Sequence, residues 1–85
     1  MEGRKFDKDK LRWELLPLYP IEETIKVLGY GAIKYDDHNW KFVDNLYDRY
    51  YAALMRHVTA WRKGESKDIE TDLHHLAHAM CCILF

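Results

Sequence analysis

The sequence predicts an all-α fold: a small bundle of about three main helices with an extended N-terminal arm. Three observations lead there. Apolar residues recur at intervals of three and four through three stretches, and no stretch alternates apolar with polar residues as a half-buried strand would. Breakers fall between the periodic stretches, with two prolines before the first and Gly64 after the second. An 85-residue chain is one domain, residues 1–85, and a core of that size is marginal alone. The bundle is therefore expected to be completed by self-association, as a homo-oligomer of two or more copies.

Residues 1–12 are charged and aperiodic, and "RWELLPLYP" then mixes large apolar side chains with Pro17 and Pro20. Residues 1–19 read as an extended arm laid over a core. Pro20 suits a first helical position and Glu22 and Glu23 suit the positive end of a helix dipole. With Ile21, Ile25, Leu28 and Ala32 on one face, a first helix is predicted over about 20–34. "YDDHNWKFVDN" keeps neither period and reads as a connection. Leu46, Tyr50, Ala53, His57 and Trp61 then hold helical spacing, so a second helix is predicted over about 46–62 and stopped at Gly64. A third is predicted from about 69 to the end, with Leu73, Ala77, Met80 and Leu84 as its core stripe.

Composition excludes several roles. The chain is 48% apolar and 32% charged with a formal net charge of −1, which excludes disorder and a broad electrostatic surface for a nucleic acid polymer. No run approaches the roughly 20 apolar residues of a membrane span, and "MEGRKFDKDK" lacks a signal peptide's apolar core. Adjacent Cys81 and Cys82 cannot readily pair with each other and read as small buried hydrophobes. A reducing, cytoplasmic setting is expected, in a bacterial cytosol or a phage-infected host.

The chemistry-bearing residues cluster. "IETDLHHLAHAM", residues 69–80, holds Glu70, Asp72, His74, His75 and His78. On a helical wheel His75 and His78 share a turn and point away from the Leu73 stripe. The C-terminal end is apolar almost all round, as in a helix covered on both sides, so the second layer is expected from another subunit, with His75 and His78 in or beside that interface. His57 sits on the apolar face of the second helix, where an imidazole needs partners, though packing alone would also account for it. Lys34, Tyr35, Asn39 and Trp40 belong to a polar, aromatic connection that could be a binding loop or a solvated loop with an aromatic anchor. Arg49 and Arg56 share a face two turns apart, as a solvated flank or an anion-binding rail would.

The strings "KLRWELLPLYPIEETIKVLGYGAIKYDDHNW", "RYYAALMRHVTAWRKGE", "DIET" and "HLAHA" together resemble the phage and bacterial family of dATP/dGTP diphosphohydrolase N-terminal domains. That family looks related to the MazG-like all-α pyrophosphohydrolases, which cleave a nucleoside triphosphate to monophosphate and pyrophosphate. The resemblance implies a (deoxy)nucleoside triphosphate of the purine class as ligand, and Mg²⁺ or Mn²⁺ as cofactor. Two motifs depart from the MazG-like pattern. Lys26 stands where the second glutamate of E-x-x-E, begun by Glu23, would be, and the E-x-x-D position reads Asp72 to His75. Imidazole in place of carboxylate is compatible with a softer preference, for Mn²⁺, Co²⁺ or Zn²⁺, and equally with a loss of hydrolysis.

Two functions follow from the resemblance. In an enzyme, Glu22 or Glu23, Glu70, Asp72, His75 and His78 hold metal, with Glu23, Glu70 and His75 at the chemistry. Lys34, Arg49 and Arg56 then meet phosphates, and Tyr35, Asn39 and Trp40 the base or sugar, with His57 also on the ligand. In a non-catalytic phage protein that sequesters a nucleotide or cyclic nucleotide, Lys26 would supply positive charge in place of a metal. A purely structural helical oligomer is the third expectation.

Overall fold

Three helices carry the chain: α1 (Leu18–Lys34), α2 (Leu46–Arg62) and α3 (His75–Leu84). Two short 3₁₀ turns, Trp13–Leu15 and Asn39–Phe42, lie before α1 and between α1 and α2. The computed structural model describes residues 2–85; Met1, part of the expected arm, lies outside them. Among the described residues there is no strand, and a single antiparallel bridge joins Lys67 to His74. The all-α class is as the sequence predicts.

α1 begins at Leu18, two residues before the expected start. Pro20 is its third residue, where the missing N–H costs nothing because first-turn donors have no partner within the helix. Glu22 and Glu23 consequently lie in the second turn. α2 matches its expected span. It ends in a Schellman arrangement: Gly64, at φ +106°, donates to the Trp61 carbonyl, and Glu65 donates to the Ala60 carbonyl. A side chain at Gly64 would strain that turn, and the turn fixes where Glu65 points.

α3 starts six residues later than expected. The Asp68 carboxylate accepts from the backbone N–H of Glu70 and Thr71 and from the Thr71 hydroxyl, at 3.1, 3.0 and 3.2 Å. Such a turn takes donors that a helix start would leave open, and Asp72 follows at φ +58°. His74 caps α3 instead, its Nδ1 accepting from the Leu76 N–H at 3.0 Å.

The buried faces also differ from the wheel reading. On α1 the buried residues are Thr24 and Val27, while Ile25 is 57% exposed. Thr24 tolerates burial because its hydroxyl donates to the Pro20 carbonyl at 2.9 Å. On α3 the buried set is His75, Ala77, Ala79 and Cys81, whereas Met80 and Leu84 are exposed. Small residues let α3 pack against both α1 and α2, which themselves barely touch. Two sides of α3, with His75 among the buried residues, are thus packed within the chain, while Leu76, Met80, Ile83 and Leu84 stay exposed.

The core is thin. Val27, Ala77 and Cys81 form it, with Leu73 and Phe85 packed against them, and no large side chain is fully buried. Full burial of a large apolar side chain contributes about 1.5–3 kcal/mol, and little of that is realised here. Nor does the arm cover the core: Phe6 and Leu11 are 83% and 82% exposed. The radius of gyration, 16.9 Å, exceeds the roughly 12 Å of a compact domain this long.

Candidate functional site

Because α1 and α2 each pack mainly on α3, a cleft of about 910 Å³ opens among the three helices. Its walls carry Lys34 and Tyr35 at the end of α1, Asn39 and Trp40 from the connection, Arg56 and His57 on α2, and Glu70, His75 and His78 beyond. Those nine expected site residues therefore line one space. Five others do not line it: Glu22, Glu23, Lys26, Arg49 and Asp72. Glu22 and Asp72 are exposed. Glu23 pairs with Lys26 at 2.9 Å, which raises the lysine's pKa, and Arg49 donates to the Asp44 carbonyl at 3.5 Å.

One end of the cleft is imidazole-rich. His57 Nδ1 is 2.8 Å from His75 Nδ1, and His57 stacks on His78 with ring centroids 4.5 Å apart and planes 8° apart. His75 Nε2 lies 2.9 Å from a Glu65 carboxylate oxygen. A carboxylate only accepts, so His75 Nε2 carries the proton and a neutral His75 keeps a lone pair on Nδ1. His57 then donates its Nδ1 proton to that lone pair. Thr71 plays the matching part for His78. Its hydroxyl donates to Asp68, leaving the oxygen, 2.7 Å from His78 Nε2, to accept the imidazole proton.

Burial first, and then the neighbouring His78 and His75, hold the His57 pKa below the usual histidine value. Burial likewise lowers His78, against the pull of Asp68. Burial opposes ionisation of Asp68, but the Thr71 hydrogen bonds and nearby His78 outweigh it and its pKa is lowered. The lowered values favour uncharged rings at His57 and His78, the form that a nitrogen ligand or proton acceptor requires.

The rim is charged. Glu70 accepts from Lys34 at 2.6 Å and from the Tyr30 hydroxyl at 2.9 Å, and these bonds lower its pKa while raising those of its partners. Glu70 is thus tied to the rim cation and not to the imidazoles. Trp40 stacks on Phe85 with centroids 5.1 Å and planes 8° apart, and Tyr50 meets the same ring edge-on at 5.0 Å. One face of Trp40 is taken as an anchor. Both cysteines are free thiols, with Cys81 pushed up to about 11 by burial, so neither is an activated nucleophile.

Sequence reasoning missed Glu65, Asp68 and Thr71. Gly64 was legible as a helix stop, and the Schellman geometry it permits would have pointed to Glu65. Asp68 and Thr71, three apart, carry the spacing of a side-chain-capped turn.

Comparison with known proteins places the chain. The family profile described as dATP/dGTP diphosphohydrolase, N-terminal, matches residues 1–85. A curated relative from Salmonella phage PMBT28, called a dATP/dGTP diphosphohydrolase, is 38% identical over 85 residues, covering 100% of this chain and 29% of that protein. The chain thus spans less than a third of that relative's length. No solved structure matches. The chain belongs to the dATP/dGTP diphosphohydrolase N-terminal family.

Proposed function

We propose that the cleft binds a purine deoxynucleoside triphosphate and that the domain serves its hydrolysis to monophosphate and pyrophosphate with help from a divalent cation. The observation that carries this reading is the meeting, in one cleft, of cations, aromatic rings and imidazoles backed by carboxylates. The name of the phage relative supports the substrate class.

Arg56 and Lys34 supply positive charge for phosphate oxygens, Arg56 through a planar fork of donors and Lys34 as a point charge held by Glu70. Tyr35 and Asn39 offer a ring and an amide for a base or sugar. His75, with Nε2 bonded to Glu65, holds its one lone pair on Nδ1, oriented toward His57 at the imidazole end of the cleft. A divalent cation would neutralise phosphate charge and lower the pKa of a water. The carboxylate cage expected for Mg²⁺ does not fit, however. Glu22, Glu23 and Asp72 lie off the cleft, and Glu70 is tied to Lys34 and Tyr30.

That missing cage favours a second reading, sequestration of a nucleotide without turnover. Calorimetric titration with dATP, dGTP, a non-hydrolysable α,β-methylene analogue and a cyclic dinucleotide tests both. Binding of the triphosphates, weakened at least tenfold in Arg56→Ala, supports the cleft as the nucleotide site. Binding without product supports sequestration, and no binding of any of the four removes both readings.

We also propose self-association in the cytoplasm. Ile83 and Leu84 of α3 are 62% and 60% exposed, and the arm's apolar side chains stand in solvent.

A further inference from the structure

We infer that His57, Asp68 and His75 form a three-ligand site for an imidazole-preferring divalent ion of the Zn²⁺ or Co²⁺ class, and that Mg²⁺ is a poor occupant. Each residue brings one ligand atom into a set lying within 4.8 Å of one another. The residues come from different places in the fold: His57 from the middle of α2, Asp68 from the capped turn, and His75 from the first turn of α3. Local sequence alone would not bring them together.

The chemistry of the donor set selects the ion. Two imidazoles and one carboxylate leave room for water in a tetrahedral shell, the pattern of zinc sites with an open position. Mg²⁺ demands six hard oxygen ligands in near-octahedral geometry, and this set offers one carboxylate, Asp68, with two imidazoles. In a tetrahedral shell with metal–nitrogen bonds of about 2.0 Å, two ligand nitrogens stand roughly 3.3 Å apart. The Nδ1 atoms of His57 and His75 are 2.8 Å apart, so an ion enters between them with a modest parting of the rings and a shift of the His57 proton from Nδ1 to Nε2.

The surroundings support ligation. Metal-bound histidines characteristically donate their other ring N–H to a carboxylate or carbonyl, which fixes ring orientation and raises ligand basicity. His75 meets that condition through Glu65 at 2.9 Å. Asp68 is fixed by its bonds from Glu70, Thr71 N–H and the Thr71 hydroxyl, which hold the carboxylate facing the imidazoles. His78 stacks on His57 and bonds Thr71, so it is a positioning residue, not a member of the ligand set. Any role of the ion in hydrolysis rests on the nucleotide reading above; its binding does not.

The test is a Co²⁺ titration of the chelator-treated protein without nucleotide, followed by visible absorption and by metal analysis after gel filtration. The expected result is one equivalent of Co²⁺ with the intense visible bands of a four-coordinate centre, displaced by Zn²⁺ and not by millimolar Mg²⁺. His57→Gln and Asp68→Asn should lower the affinity at least tenfold while circular dichroism remains that of the parent; His38→Gln should leave it unchanged. Glu65→Gln should weaken binding less than loss of a ligand. No stoichiometric uptake by the parent, equal uptake by His57→Gln and Asp68→Asn, or displacement by Mg²⁺ would each overturn the assignment. Because nucleotide is absent, metal uptake without any later nucleotide binding would sink the functional reading alone.

Discussion

His57 and His75 face each other Nδ1 to Nδ1 at 2.8 Å, across the junction of α2 and α3. Neutral imidazoles can share one proton in that arrangement, whereas two imidazolium ions would repel. The contact therefore ties the helix packing to the protonation of His57.

Acid should loosen the fold. The folded-state pKa values of His57 and His78 are lowered, chiefly by burial, so the unfolded chain binds more protons near pH 6. Their contribution is full above the unfolded pKa of about 6.5 and is lost as pH falls through it toward the folded values. Urea midpoints in the presence of a chelator should fall between pH 7.5 and 5.5. The fall should shrink in His57→Gln, and a parent midpoint that rises on acidification would contradict this account.

Gly64→Ala should destabilise by about 1–2 kcal/mol, since φ +106° is a conformation a side chain resists. Open space surrounds the position, so the cost comes from the backbone and not from a clash. A urea midpoint equal to the parent's would show that the turn relaxes freely.

Asp68→Ala should cost about 2 kcal/mol, because it leaves the N–H groups of Glu70 and Thr71 and the Thr71 hydroxyl without their shared acceptor. Asp68→Asn, which keeps an acceptor oxygen, should cost less. Denaturant titration of the two variants orders them, and the reverse order would place the turn's stability elsewhere.

The helices were legible because they are periodic. α2 matched its expected span since Leu46, Tyr50 and Ala53 mark its inner side and Gly64 its end. The start of α3 was not legible from periodicity, because one carboxylate, Asp68, organises the preceding turn through contacts local to residues 68–71. The stripe of large residues misled for a physical reason. α3 lies between two helices, and close approach selects Ala77, Ala79 and Cys81 while Met80 and Leu84 stay outside. His75 and His78 were found as a pair, but their meeting with His57 depends on how α2 and α3 cross, which no short-range pattern encodes.

Self-association through the apolar outer side of α3 predicts a dimer or higher oligomer at micromolar concentration by light scattering. Ile83→Asp with Leu84→Asp should shift the mass toward a monomer without loss of helical content. A monomeric parent would leave that exposed surface without a second copy.

Trp40 should report on the nucleotide without being its main anchor, because Phe85 occupies one ring face. Trp40→Phe should keep affinity for dATP and dGTP within about threefold while the ligand-induced fluorescence change diminishes. A loss of tenfold or more would mean that Trp40 stacks directly on the base.

Metal-dependent release of pyrophosphate from dATP and dGTP, measured for the parent and for folded His75→Ala and His74→Ala proteins, tests most directly whether the imidazole end of the cleft carries the chemistry. Turnover by the parent with a divalent cation is expected, reduced at least 100-fold in His75→Ala. In His74→Ala, whose imidazole only caps α3, it should be kept within a few-fold. A parent inactive with Mg²⁺, Mn²⁺, Co²⁺ and Zn²⁺ alike, or a His75→Ala protein as active as the parent, would contradict that reading.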